Sequence, residues 1–354
     1  MGGDHAPQEI LKGCFEAASL LEPDDVIFLV GDASIINPAL AAANIPAGKR
    51  GNYKVVHTTE IVAMDESPAD AIRKKPDSSI NVQAKMAAAG ECDVVISAGN
   101  TGACVAAAQL RMRTLPGVSR PGIGVVFPSA AGNVVLCDVG ANPEPKPHHF
   151  HQYAIMASAY ATAVCGIANP RVGLLSIGEE ESKGNTLTKE SRKLLRDEPQ
   201  INFVGNVEGR DLFKGTVDVI ICDGFAGNVV LKCVEGMAEG LFKAIVGEIT
   251  ESAPELMAGF KPVMKKIYQQ HDWQEAGGAP LLGVNGYSII CHGKSEGRAI
   301  KNAIRVGKQL FAAKMNDKIV AALSKAVKTE PPPETAASSG APGASTSAPA
   351  AQPR

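Results

Sequence analysis

The sequence predicts an α/β protein, a three-layer α-β-α arrangement with a Rossmann-like sheet in the middle. First, short runs rich in Val, Ile and Leu recur, and each ends in a Gly, Asn or Asp cluster: "VIFLVGD", "VVISAGNTG", "VVLCDVGAN", "VGLLSIGEE", "FVGNVEG", "VIICDGFAGN" and "SIICHGKSEG". Apolar runs that are continuous, not alternating, suit parallel strands covered by helices on both faces. Second, helical patterns fill the gaps. "VVLKCVEGMAEGLFKAIVGEI" sets Val230, Val234, Met237, Leu241, Ile245 and Ile249 on one stripe, and "IKNAIRVGKQLFAAKM" behaves similarly. No unit of fixed length repeats, which argues against a solenoid.

Along the chain, the opening "MGGDHAPQEILKGCFEAA" is a turn that leads directly into a helical pattern. Such a turn normally follows a strand, and none is present here. Either the start lies upstream or the fold lacks its first strand. The longest uncharged stretch, from Phe150 to Pro170, is diluted by His151, Gln152, Tyr153, Ser158, Tyr160 and Thr162 and reads as a buried helix, not a membrane span. Residues 1–328 form one large α/β domain. From Thr329 onward "TEPPPETAASSGAPGASTSAPAAQPR" has almost nothing to bury, so 329–354 reads as a disordered tail.

Lys plus Arg number 35 against 37 Asp plus Glu, and a net charge of -2 gives no global attraction for nucleic acid. The 8 cysteines contain no C-x-x-C pair and sit mostly in apolar runs, which reads as reduced, buried thiols in a cytoplasmic protein. In open α/β sheets ligands bind beyond the carboxyl ends of the strands. The polar clusters are therefore expected to gather on one face of the sheet.

Within "SAGNTGA", Gly99 and Gly102 remove Cβ obstruction, Asn100 tolerates left-handed backbone and Thr101 offers a hydroxyl where a helix begins. Such a turn either holds an anion on its N–H groups or is an ordinary capped junction. "HGKS" lacks the glycine of a Walker A loop, since that position is Ser288, and no G-x-G-x-x-G follows an early strand. "KPHHFHQY" invites a metal reading, but only His148 and His151 share a helical face and no cysteine completes a set. These histidines are read as solvated or capping, and no metal is assigned. "GEEESKGN" places Glu179, Lys183 and Asn185 after a strand, and "CDGFAGNVVLK" places Asp223, Asn228 and Lys232 at a helix start. "ELMAGFKPVMKKIYQQ" sets Lys261, Lys265 and Lys266 beside Leu256, Phe260, Met264 and Ile267, either a packed helix or a basic amphipathic surface.

Seven blocks taken together, "MGGDHAP", "SAGNTGA", "DVGAN", "GLLSIGEEESKGN", "FVGNVEGRD", "VIICDGFAGNVVLK" and "GGAPLLGVNGYSIICHGKS", resemble the bacterial acyl-acyl carrier protein:phosphate acyltransferases. The resemblance spans residues 1 to about 310. It implies an isocitrate dehydrogenase/phosphate acetyltransferase-like fold and transfer of a long-chain acyl group from acyl carrier protein to inorganic phosphate. The acyl phosphate feeds phospholipid synthesis. No cofactor is implied. The partners implied are the carrier, phosphate and a second subunit, with peripheral association at the inner face of the membrane. The family's members carry a short strand before "MGGDHAP", absent here.

Phosphate is itself the nucleophile, so positioning and charge stabilisation matter more than a strong base. On this reading Asn100, Thr101 and Gly102 cradle phosphate, Lys183 and Asn185 neutralise it, and Asn228 and His292 face the thioester carbonyl. Asp4, His5, Asn142, Glu179, Asp223 and Lys232 support the site, and Lys261, Lys265 and Lys266 meet the carrier or the membrane. Cys104 and Cys291 adjoin polar loops and open a covalent alternative. A phosphate acetyltransferase using coenzyme A thioesters and a non-catalytic carrier- or membrane-binding scaffold are the competing functions.

Overall fold

The structure, a computed structural model, describes residues 1–129, 132–271, 275 and 277–327. The proposed tail at 329–354 lies outside them. Among the described residues ten strands fall into two sheets. β1 (Ile27–Gly31) and β2 (Tyr53–His57) form a parallel pair. The main sheet takes β3 (Val94–Ser97), β4 (Gly122–Ser129), β5 (Gly132–Cys137), β6 (Arg171–Leu175), β7 (Asn202–Val207), β8 (Val219–Ile221), β9 (Ala279–Leu282) and β10 (Tyr287–Ile290) in the spatial order β3-β10-β9-β4-β5-β8-β6-β7.

Side-chain alternation along the central strands divides the interior in two. Val135, Cys137, Val219 and Ile221 enter one buried cluster, while Val134, Leu136 and Ile220 enter the other. Successive residues of a strand face opposite sides, so these strands are buried on both faces. The first cluster is roofed by α1 (Gln8–Glu16), α6 (Pro147–Cys165), α10 (Gly297–Ala312) and α11 (Met315–Lys325). The second is roofed by α3 (Pro68–Lys74), α4 (Ser79–Ala88) and α5 (Thr101–Ala107), with the first turns of α8 (Gly224–Ser252). This is the three-layer arrangement read from the sequence.

Strand direction departs from that reading. β10 is parallel to β3, but the pairs β10–β9, β9–β4 and β4–β5 are all antiparallel, and β5, β8, β6 and β7 are then mutually parallel. Three reversals set β3 and β10 against β5, β8, β6 and β7. The polar clusters therefore collect at two opposite ends of the sheet. Direction depends on which strand docks beside which, and a run of apolar residues carries no record of it.

The uncharged stretch after Lys146 forms α6, with Phe150, Tyr153 and Met156 buried. The helix α8 is also present, but its apolar stripe is covered unevenly, with Ile245 and Ile249 half-buried. Ala226, Val230, Leu231 and Val234 pack against the second cluster, whereas Met237 and Leu241 are 64% and 60% exposed.

Candidate active site

Because β3 and β10 are neighbours, the loops at their carboxyl ends adjoin, and the backbone N–H of Cys291 donates to the carbonyl of Ser97 at 2.8 Å. The chain's first residues cross both loops. The N–H of Asp4 donates to the carbonyl of Gly293 at 2.9 Å. A Cβ on Gly3 would lie 2.7 Å from the carbonyl oxygen of Ala98, so the crossing needs glycine. Asp4 and His5, the turn before Thr101 and the loop carrying His292 are thereby gathered at one sheet end, although they lie nearly 300 residues apart in places.

The helix α8 brings Lys232 to the same place. Burial lowers the pKa of His292, and the nearby positive charge of Lys232 lowers it further. The Nδ1 atom of His292 accepts the N–H of Lys294 at 3.1 Å, which leaves the proton of the neutral ring on Nε2. Neutral His292 is thus a fixed-tautomer donor. Lys232 is held by Glu235, Nζ to Oε2 2.7 Å, and both belong to the α8 face that carries Asn228 one turn earlier. Asn228, Asp4, His5, Thr101 and Lys294 are exposed.

Asn100 is occupied elsewhere. Its Oδ1 caps α5 by accepting the N–H of Ala103 at 3.0 Å, while Nδ2 donates to the carbonyls of Ala63, Met64 and Glu66 at 3.2, 3.0 and 3.1 Å. Its side chain therefore pins the loop before α3 to the start of α5 and has no donor left for phosphate. Gly102 is likewise explained by packing, since a Cβ there would lie 2.5 Å from Cγ of Pro68. Within this turn, the amide groups of Thr101 and Gly102 remain as anion donors. The sequence reading missed Glu66, which accepts from the N–H of Ala63 at 2.7 Å and pairs with Lys75 at 2.5 Å to shape that loop.

The second end of the sheet carries Glu179, Lys183, Asn185, Asn142 and Asp223. Asn185 caps α7 (Thr186–Arg196), its Oδ1 accepting from the N–H of Thr188 at 2.9 Å, and Asp223 caps α8 through the N–H of Ala226 at 2.8 Å. Glu179 and Lys183 are exposed. Asn142 is buried, donating to the carbonyl of Pro121 at 2.6 Å and to Oη of Tyr153 at 2.7 Å. Beside it, buried Asp138 accepts four backbone N–H groups, from Ile123, Gly140, Ala141 and Asn142, at 2.7–3.1 Å. Burial pushes its carboxyl up and those four donors pull it back. Asp138 thus organises the junction against which α8 starts, a role that "CDVGAN" signals only as a charge closing an apolar run.

The joint cradle of Thr101 with Lys183 and Asn185 does not form. Six strand spacings separate β3 from β6, roughly 29 Å at about 4.8 Å each, and their carboxyl ends point opposite ways. The first turns of α8 link the two ends, because Lys232 lies eight residues, roughly 12 Å, beyond Gly224.

Other expectations are settled locally. The histidines are buried, not solvated. Nδ1 of His149 accepts the N–H of Lys146 at 2.9 Å, and Nε2 of His151 lies 2.9 Å from Oε2 of Glu198. Burial raises the thiols of Cys104 and Cys291 to about 11 and about 12, which leaves neither a thiolate for nucleophilic attack near neutral pH. On α9 (Met257–His271), Lys261 and Lys266 are exposed beside Leu256, 58% exposed, and Ile267, 39% exposed. The Lys265 side chain lies outside the described residues.

Comparison with known proteins adds independent findings. The model of a family described as "Fatty acid synthesis protein" matches residues 1–318. A phosphate acyltransferase of Heliobacterium modesticaldum is 50% identical over 311 residues, covering 87% of this chain and 91% of its own. One from Desulfitobacterium hafniense is 48% identical over 312 residues, with 87% and 91% covered, and one from Nitratidesulfovibrio vulgaris is 42% identical over 332 residues, with 91% and 93% covered. Among solved structures, a phosphotransacetylase from Streptococcus pyogenes aligns with a TM-score of 0.52 at 14% identity over 88% of this chain and 91% of that one. A branched-chain phosphotransacylase from Enterococcus faecalis gives 0.52 at 13% identity, over 88% and 97%. At such identities these structures show a shared fold.

Proposed function

The chain belongs to the fatty acid synthesis protein family, and on that premise we propose that it transfers an acyl group from a thioester to inorganic phosphate, forming acyl phosphate for phospholipid synthesis. The thioester is the one borne by acyl carrier protein. An oxygen of phosphate attacks the carbonyl carbon, the C–O bond forms, the C–S bond breaks, and the proton released ends on the carrier thiol. The amide groups of Thr101 and Gly102 with the ammonium groups of Lys232 and Lys294 hold phosphate. Nε2–H of His292 and the amide of Asn228 face the carbonyl oxygen as charge develops on it. Lys183 and Asn185 have no part in this cradle.

The observation that carries this assignment is the convergence of the Asp4 segment, the Thr101 turn, the His292 loop and Lys232 at one end of the sheet. Exposed Lys261 and Lys266 beside apolar residues on α9 suit an acidic carrier or an anionic membrane surface, and the bare outer stripe of α8 suits a second subunit. Among the described residues no helix is long and apolar enough to cross a membrane.

The test is incubation of acyl carrier thioester with labelled phosphate, trapping the product with hydroxylamine. Label in an acyl phosphate that hydroxylamine converts to hydroxamate supports the reading. Activity confined to coenzyme A thioesters would give the site to the phosphate acetyltransferase alternative. His292→Gln and Asn228→Ala are each expected to lower turnover by about 100-fold, the scale of one lost oxyanion donor, with circular dichroism unchanged.

A further inference from the structure

A groove of about 540 Å³ lies between α1 and α2 (Ala33–Ala42). Sequence spacing makes it apolar. Pro7, Leu11 and Phe15 recur every four residues along α1, and Ile35, Ala39 and Ala43 do so along α2 and its C-cap, so each set lines up on one helix face. Two of the three α2 positions are alanine, and the ridge that bulkier side chains would build there is missing. The channel is left uncovered: Ile35 is 44% exposed, and Pro7, Phe15, Ala39 and Ala43 are half-buried. Of the polar lining residues, Lys12 is exposed and already paired with Glu9 at 3.2 Å.

One end of the groove opens at the candidate active site. Pro7 follows Asp4 by three residues, and Oε2 of Glu9 accepts the N–H of Gly297 at 2.7 Å, which fixes the first turn of α1 beside the loop that carries His292. The other end is marked by Phe15, whose ring meets that of Tyr53 edge-on at 6.0 Å, and Tyr53 pairs with Ile27 at the amino end of β1. The helix α1 therefore runs from the carboxyl end of β1, where α2 also starts, to its amino end. Ile35 thus faces Pro7 at the mouth, and Ala43 faces Phe15 roughly 12 Å further on.

We infer that this groove holds the acyl chain of the thioester, with the carbonyl end at Pro7 and the chain running toward Phe15 and Ala43, and that Ala39 and Ala43 set the length accepted. The inference rests on the acyl-transfer reading of the same site. A saturated chain has no hydrogen-bonding groups and asks only for apolar walls, which the two rows supply over their whole length. The groove begins where the carbonyl must lie for His292 and Asn228 to reach it. A chain that outruns it meets Glu16 and Asn44, both polar and exposed, so the gain per added methylene ends there.

The test measures kcat/KM for butyryl, octanoyl, dodecanoyl and palmitoyl thioesters of the carrier. In the parent chain it should rise by up to roughly fourfold per methylene until the groove is full and then level off. Ala39→Phe, which blocks the middle, should move that plateau to shorter chains and lower the palmitoyl-to-butyryl ratio roughly tenfold or more. Ala43→Phe, at the far end, should lower it less. A profile that keeps its shape in both variants overturns the inference. So does a dimer that Ile35→Asp dissociates in sedimentation with the profile unchanged, since the groove then belongs to a second copy. A palmitoyl thioester with a diazirine at its chain terminus gives a readout that needs no turnover. Insertion mapped by mass spectrometry to Phe15, Glu16, Ala43 or Asn44 supports the inference, and insertion confined to β1, β3 or α8, or none, overturns it. Groove insertion in a protein that forms no acyl phosphate would refute the reaction and keep the groove, whereas acyl phosphate formed with insertion elsewhere would refute the groove alone.

Discussion

Replacing Asn100 by alanine removes two structural functions at once. The cap on α5 through Ala103 is worth about 1 kcal/mol. The two amide hydrogens, shared among the carbonyls of Ala63, Met64 and Glu66, add about 1–2 kcal/mol. Asn100→Ala should therefore lower stability by about 2–3 kcal/mol, read as a shift of the urea midpoint at constant slope. Asn100→Asp is the sharper variant. It keeps the acceptor that caps α5 but sets a carboxylate oxygen against three carbonyl oxygens, so its loss should equal or exceed that of alanine. A phosphate ligand at this position would behave differently. Both variants staying within about 0.5 kcal/mol of the parent, while the KM for phosphate rises roughly tenfold, would refute the assignment of Asn100 to the fold.

Gly227→Ala places a Cβ 2.0 Å from the carbonyl oxygen of Asp138, so the start of α8 must move, and a loss of about 3 kcal/mol or more is expected from urea denaturation. Gly236→Ala, on the same helix with nothing within 4 Å of its Cβ, should instead gain about 0.5–1 kcal/mol. Arg171 binds Asp218 through two hydrogen bonds of 2.9 Å and holds its carboxyl below the ordinary value. The unfolded chain takes up that proton first. The stabilisation is complete above roughly pH 4 and is lost as pH falls through the depressed folded value. Asp218→Asn should flatten that acid limb in urea titrations and leave turnover unchanged. Cys104→Ala and Cys291→Ala should retain turnover, and loss of both activity and a trappable acyl-enzyme would restore the covalent route.

What the sequence made legible was whatever is encoded by neighbours. Seven strands announced themselves because each apolar run ends in a Gly, Asn or Asp cluster, α8 and α10 because their apolar residues recur at helical spacing, and α6 because it is a long uncharged stretch. β2, "YKVVH", is short and carries a lysine, while β4 and β9 belong to the antiparallel centre, where no helix-start cluster follows. Pairing itself was illegible. The reversals around β9 and β4 move Lys183 and Asn185 away from Thr101, and no local signal reports them. Asn100 shows the same limit, since the carbonyls that claim its side chain lie 34–37 residues away. The family resemblance named residues from both ends of the sheet as one site. The geometry decides which of them hold it together and which face a substrate.

The central claim is that phosphate oxygen attacks a carrier-bound acyl carbonyl. It is tested most directly by supplying fully oxygen-18-labelled phosphate with acyl carrier thioester and weighing the products by mass spectrometry. The account predicts an acyl phosphate that retains all the phosphate label, including the bridging oxygen, with one carrier thiol released per acyl phosphate formed. Free fatty acid without acyl phosphate, or thiol release that does not depend on phosphate, would contradict it.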